Sequence, residues 1–414
     1  MVSLEKHGDF TKRWFIESST YNFSINLTLG FVNAFIVKVL GYGPVELGYQ
    51  VATRILAVAL AQPLASFLVL FKRNKRKLVW FVGGAINRVG WSLAVLALLL
   101  PRPLDIVYLH VLAFIAQFAG GLANVAAMDT VGDNISPTCA MEVFSKANEL
   151  TYVSTAASQV LGVILFLAPL EPRTGYIATY ALGFVISVVS TIYLAKIPDR
   201  GVTSTYTTMA TPFSNLRRAL LSKELRRYLL VLSMFNFAVN VPAPFWDYIV
   251  LQLSGGKEFF IPVKNTMALL AKFFTMNWWK SAMQKRGLKK VLVEGLALTS
   301  LVPALYAEAT NITGILVAEI VSGVVWAPVD VGTSIYSVYL PPGSSRPLYL
   351  STVNFLVNTV STIAASVGTT MYVFTHDVHS TLVTSTALRL LTASLAYKLL
   401  PEVTEKESNV SVYR

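Results

Sequence analysis

The sequence predicts an all-α integral membrane protein, with twelve transmembrane helices in two pseudo-symmetric six-helix bundles. Three observations lead there. Hydrophobic residues make up 54% of the 414 positions and charged residues 14%, and the mean hydropathy is +0.57, far from the balance of a water-soluble domain. Apolar stretches reach the roughly 20 residues that a helix needs to cross about 30 Å of hydrocarbon, while the strand-period alternation of a barrel is absent. The chain also repeats itself: Tyr21-Asn22-Phe23-Ser24-Ile25-Asn26 returns as Phe235-Asn236-Phe237-Ala238-Val239-Asn240. The basic cluster Lys72-Arg73-Asn74-Lys75-Arg76-Lys77 returns as Lys285-Arg286-Gly287-Leu288-Lys289-Lys290 at nearly the same offset. A third pair, Gln117 to Asn124 against Glu319 to Trp326, keeps the order with a shorter loop in the second copy.

In order, the spans fall at residues 14–40, 46–71, 78–100, 104–131, 143–169, 175–196, 228–253, 260–281, 291–308, 312–335, 347–374 and 380–400. Residues 1–13 are polar and carry no apolar stretch of a signal peptide, so no cleaved leader is expected. The longest polar interruption separates the copies. The domains are therefore an N-terminal bundle over 1–197, a cytoplasmic linker over 198–227, and a C-terminal bundle with a short tail over 228–414. Six spans per copy give both copies the same orientation, as in parallel-repeat transporters. Pro242 and Pro244, unmatched in the first span, predict a break in the seventh.

The formal charge of +12 would suggest nucleic acid in a soluble protein. Here its distribution points to topology. Lys6, Lys12, Arg13, the 72–77 and 285–290 clusters and the linker arginines lie on one side, whereas the other side holds Lys38, Arg102, Arg173, Lys257 and Lys264. The positive-inside rule puts both termini in the cytoplasm, in the plasma membrane. The clusters also suit anionic lipid head groups. Cys139 is the only cysteine, which excludes an intrachain disulfide.

This architecture resembles the major facilitator superfamily over nearly the whole chain. The two basic clusters stand where that family carries a Gly-x-x-x-Asp-Arg-x-Gly-Arg-Arg-like loop, although the acidic position falls on Phe71 in one half and Gln284 in the other. The resemblance implies a central cavity lined by the first, fourth, seventh and tenth spans.

On the first span, Asn22, Asn26 and Asn33 share one helical face, and the equivalent positions in the seventh are Asn236, Asn240 and Asp247. Such a stripe must face protein or a wet cavity. On the fourth span Gln117, Gly121 and Asn124 correspond to Glu319, Gly323 and Trp326 on the tenth. The copies differ where the first has amides and the second carboxylates, at Asp247 and Glu319. A charge inside a span costs on the order of 3 kcal/mol, so these two are the candidates to bind a coupling proton or a cationic group. The competing reading is a structural ion pair with Arg54, Arg88 or Lys272, and those cations could instead meet an anionic substrate. Asn22, Asn26, Asn33, Gln117, Asn124, Asn236 and Asn240 are the polar candidates for solute binding, with Phe31, Phe245, Trp246 and Trp326 as rings that could stack on a sugar or hold a hydrophobic cation. Asp129, Asp330 and Glu149 are read as cytoplasmic-gate acids for Arg73, Arg76, Arg286 and Lys289. Glu17 is read as an interfacial or helix N-terminal acid.

No phosphate-binding loop, His-Glu-x-x-His or Gly-x-Ser-x-Gly occurs, and His376-Asp377-x-His379 reads as a solvated loop rather than a metal site. The expected activity is secondary active transport of a small organic solute by alternating access with proton coupling, not catalysis. A non-transporting receptor or a facilitative uniporter on the same fold is the alternative. Expected partners are a small-molecule substrate, protons and the lipid bilayer, with no nucleic acid, cofactor or metal, in a monomer.

Overall fold

The computed structural model describes residues 8–71, 75–135, 137–167, 171–198, 217, 221–339 and 346–401. All regular structure among them is helical. In chain order the helices are α1 (Gly8–Thr28), α2 (Val32–Lys38), α3 (Pro44–Phe71), α4 (Arg76–Ser92), α5 (Leu104–Asn134), α6 (Pro137–Leu167) and α7 (Pro172–Ala195). They continue with α8 (Lys223–Asn240), α9 (Trp246–Leu253), α10 (Phe260–Arg286), α11 (Leu288–Leu298), α12 (Leu301–Glu308), α13 (Ile312–Tyr339), α14 (Arg346–Thr375) and α15 (His379–Leu399). Local chemistry sets several of the ends. Ser222 caps α8 by accepting the Leu225 N–H at 3.2 Å, and Pro172 opens α7 at a position where a missing N–H costs nothing.

Among the described residues nine helical segments are long and apolar enough to cross a membrane. The chain is a multi-pass membrane protein. Large apolar side chains such as Ile164, Phe274 and Phe374 point outward, the arrangement expected where the surrounding solvent is acyl chain.

The helices are less continuous than the apolar stretches that encode them. The first span is interrupted by a 3-10 turn at Leu29–Phe31, and the third passes into a 3-10 stretch over Leu93–Leu99. The seventh breaks after Asn240 and resumes through a 3-10 turn at Ala243–Phe245, as Pro242 and Pro244 predict. The ninth also breaks, at Thr299–Ser300. Pro303 explains this: it lacks the N–H that would serve the Thr299 carbonyl four residues back, and its ring crowds that oxygen.

The chain divides into two compact units. One holds Met1–Tyr206 with Gly255–Thr266, the other Thr207–Ser254 with Met267–Arg414. In the first, α1 packs on α6 and α7, α3 on α5, and α4 on α5 and α7. A cluster including Trp14, Val69, Trp80, Ala126 and Leu194 ties one end of these helices together. The segment Gly255–Thr266 belongs here through Asn265, whose Nδ2 donates to Gln159 Oε1 at 3.3 Å. In the second unit α8 packs on α14 and α15, while α13 and α15 both pack on α11 and α12. Tyr228 and Tyr336 stack there at 5.4 Å.

Gly323 lies midway along α13, where a Cβ would collide with the Ala268 carbonyl and come within 2.8 Å of Ala271 Cβ. Its missing side chain lets α10 and α13 touch backbone to backbone. Replacing Gly323 by Ala should therefore destabilise the protein by about 1–3 kcal/mol, the cost of overpacking, read as a lower unfolding midpoint in detergent.

Candidate functional site: polar zippers and an acid cluster

Each polar stripe meets the neighbouring helix of its own unit. In the first unit Asn22 Nδ2 donates to the Ser18 carbonyl at 2.8 Å and to Thr151 Oγ1 at 3.3 Å. One turn on, Asn26 Nδ2 donates to the Asn22 carbonyl at 2.7 Å and to Thr155 Oγ1 at 3.2 Å. Gln159 Nε2 completes the series by donating to the Asn26 carbonyl at 3.3 Å. Thr151, Thr155 and Gln159 are spaced by four on α6, so a row of amides on α1 is zipped to a polar row on α6. In the second unit Asn236 Nδ2 donates to the Leu232 carbonyl at 2.8 Å, and Asn240 Nδ2 to the Asn236 carbonyl at 2.8 Å and to Ser361 Oγ of α14 at 3.1 Å.

Asn33 lies past the 3-10 turn, on α2, and its Oδ1 accepts from Arg54 Nη2 of α3 at 3.0 Å. Gln117 is half-buried and Asn124 exposed on α5. Two expectations are corrected here. Phe31 is fully buried against Phe166, ring centroids 5.1 Å apart, and Phe245 is fully buried against Tyr372 at 5.4 Å. Both are packing residues, because the chain turns at each break and drives the ring inward. Trp246 and Trp326 remain half-buried.

The carboxylates that distinguish the second copy gather around a tyrosine that the sequence did not single out. Tyr306 of α12 donates its hydroxyl to Glu319 Oε1 of α13, and Trp246 of α9 meets the Tyr306 ring edge-on at 4.6 Å and 74°. Asp247 is next in the chain, in the first turn of α9. Three helices thus bring two acids and two rings together. Tyr306 is 2% exposed, so its hydroxyl needs a polar partner, and a carboxylate is a strong one.

Several other charges among the described residues of the spans are paired. Arg88 of α4 donates through Nη2 to Glu17 Oε1 of α1 at 2.7 Å, with side chains 2% and 5% exposed. Glu17 is therefore no interfacial acid but half of a buried ion pair, because Arg88 reaches it from the facing helix. Arg88 also donates to Ser190 Oγ at 2.7 Å and lies 4.8 Å from the Tyr21 ring centroid. Near the basic clusters, Arg76 pairs with Asp129 at 2.9 Å, and Lys272 with Asp330 at 2.5 Å. Arg286 meets Glu294 rather than Asp330, since both lie beside the turn at Gly287 that joins α10 to α11. Glu149 pairs with Lys146 of its own helix at 2.9 Å. Lys289 is half-buried at the start of α11, and Arg73 lies outside the described residues. Asp377 accepts the backbone N–H groups of His379 at 2.9 Å and Ser380 at 3.3 Å, so it serves as a helix-starting acid. No group of three His, Cys, Asp or Glu that could hold a metal occurs among the described residues.

No protein-family model matches the chain, and no curated protein matches it in sequence. Solved structures match it end to end. A D-xylose-proton symporter superposes with a TM-score of 0.73 at 12% identity, covering 95% of this chain and 98% of its own. An auto-inhibited POT family peptide transporter superposes with a TM-score of 0.75 at 11% identity, covering 98% and 99%. The nucleoside transporter NupG, as a point variant, gives 0.72 at 10% identity, covering 95% and 100%. The chain has the major facilitator superfamily fold. At such identities the likeness is one of fold. In this major facilitator fold the acid cluster belongs to the unit that holds Thr207–Ser254 and Met267–Arg414.

Proposed function

We propose that the chain is a secondary active transporter that moves a small organic solute across the plasma membrane by alternating access, coupled to protons. The observation that carries the reading is the cluster of Glu319, Tyr306, Trp246 and Asp247. Two acids held inside membrane-spanning helices, one of them hydrogen-bonded by a buried phenol, suit reversible proton binding. The shared fold supports it, since a proton symporter and two further transporters are similar along their whole length. Those likenesses favour transport over bond-making chemistry. In this reading twelve spans form two pseudo-symmetric bundles, both termini are cytoplasmic and the protein acts as a monomer.

Asn33, Gln117 and Asn124 are the first unit's candidates for solute recognition, and Trp246 and Trp326 the second's. Asn22, Asn26 and Asn240 spend amide N–H groups on a neighbouring helix and Asn236 on its own, and all four leave their oxygens for a solute or water. Arg76 with Asp129 and Lys272 with Asp330 are the proposed gate pairs, able to form and break as the helices move.

Counterflow in proteoliposomes tests the function. Vesicles loaded with unlabelled solute, from a panel of sugars, nucleosides, short peptides and organic amines, should accumulate the labelled form of at least one. Ligand-induced thermal stabilisation narrows the panel first. A protein that is stabilised by a compound but exchanges none would be a receptor.

A further inference from the structure

Proline removes a hydrogen-bond donor from a helix and leaves the carbonyl four residues back without its partner. In a membrane such a carbonyl must be served by a neighbour. In the second unit three carbonyls that lose the donor of a proline receive a side-chain donor. Pro328 orphans Val324, whose carbonyl accepts from Trp279 Nε1 at 2.8 Å. The other two are served from one place on α15. Pro242 orphans Ala238, whose carbonyl accepts from Ser385 Oγ at 2.7 Å. Pro303 cannot serve Thr299, whose carbonyl accepts the Val302 N–H at 3.2 Å in a tighter turn and, beside it, Arg389 Nη1 at 2.8 Å. Ser385 and Arg389 stand one turn apart and are joined to each other, Arg389 Nε donating to Ser385 Oγ at 3.2 Å.

We infer that Ser385 and Arg389 form a clamp that fixes both proline breaks and so positions the acid cluster. Arg389 is 1% exposed and Ser385 fully buried. Burying a guanidinium in a span is costly, and packing alone would be served by an apolar residue. A guanidinium does what an apolar side chain cannot: its fork reaches the Thr299 carbonyl and the Ser385 hydroxyl together, leaving that hydroxyl's own proton for Ala238. The Trp326 ring lies over it, 5.9 Å from its carbon. Gly368 of α14 completes the seat of the first break, since a Cβ there would collide with the Val241 carbonyl.

The consequence lies beyond the breaks. The break at Val241–Ala243 aims α9, which carries Trp246 and Asp247. The break at Thr299–Ser300 aims α12, which carries Tyr306. These two short helices bring Trp246 and Tyr306 into contact and lay the Tyr306 hydroxyl on Glu319. One turn of α15 therefore governs the orientation of both outer segments. Ser385 and Arg389 are positioning residues, and their functional meaning rests on the proposed role of Glu319 and Asp247.

The test uses the full-length protein in liposomes and needs no identified solute. Dicyclohexylcarbodiimide, which modifies membrane-embedded carboxyl groups, is applied at fixed pH, and the rate of labelling at Glu319 is followed by mass spectrometry. The unfolding midpoint is read in parallel. Tyr306→Phe should change the labelling rate by about fivefold, the size of one hydrogen bond. Arg389→Gln and Ser385→Ala should change it in the same direction, and Arg389→Gln combined with Tyr306→Phe should add little more. Arg389→Lys, which keeps a cation but not the fork, should restore the rate only in part. If Arg389→Gln does not fold, Ser385→Ala and Arg389→Lys carry the comparison. Clamp variants that lower the unfolding midpoint but label Glu319 at the native rate would overturn the inference, leaving the acid site intact. A native rate in Tyr306→Phe would overturn it too, because the contact being positioned would have no effect on the carboxyl. Failure of the counterflow assay bears on the transport reading and not on the clamp.

Discussion

Replacing Arg88 by Gln, or Glu17 by Gln, should cost about 3–5 kcal/mol of stability, the loss expected when one partner of a buried ion pair is removed. The two side chains lie 2.7 Å apart and are almost fully enclosed by α1, α4 and α7. Their attraction repays the cost of taking both charges from water only while both are present. With Glu17 neutralised, Arg88 keeps its bonds to the Gly84 carbonyl and Ser190 but remains a cation without an anion. The measurement is the unfolding midpoint of purified protein, where each single variant should fall by several degrees. The double variant Glu17→Gln with Arg88→Gln should lose less than the two singles combined, because it strands no charge. Additive losses would mean that the pair is not coupled.

Glu319→Gln should abolish most of the proton-driven solute flux, because a carboxamide cannot take up and release the coupling proton. Glutamine keeps the shape and can still accept from Tyr306, but it cannot bind and release a proton. Asp247→Asn removes the second acid with the same economy of shape. Passive exchange of labelled for unlabelled solute should survive in both variants, since exchange needs no net proton movement. This separation of driven flux from exchange identifies a coupling residue and excludes a folding defect. Retention of full proton dependence in both variants would sink the assignment of Asp247 and Glu319.

Much of the fold is readable in the sequence because its determinants are local or repeated. Apolar length, the basic clusters and the return of Asn22 and Asn26 as Asn236 and Asn240 need no partner to be recognised. The break in the seventh span follows from Pro242 and Pro244, and the same rule applied to Pro303 would have found the one in the ninth. Comparing the copies also singled out Asp247 and Glu319. Tyr306 escaped because a tyrosine in a span is ordinarily a packing residue. Arg389 could have been found on charge alone, since an arginine inside a span is a functional candidate by default.

Pairing was not readable. Glu17 looked interfacial because it lies off the stripe, yet it meets an arginine 71 positions away. Phe31 and Phe245 share a helical register with polar neighbours, but the backbone turns at each break and carries both rings into the interior. That this chain crosses the membrane many times, and where along it the acids Asp247 and Glu319 lie, could be read from residues taken one after another, because hydropathy and charge are local properties. Which acid meets which donor, and which side chain serves each broken helix, follows only from the folded arrangement. Those outcomes depend on directions and distances of a few ångströms between segments far apart in the chain, and no periodicity along a single helix encodes them.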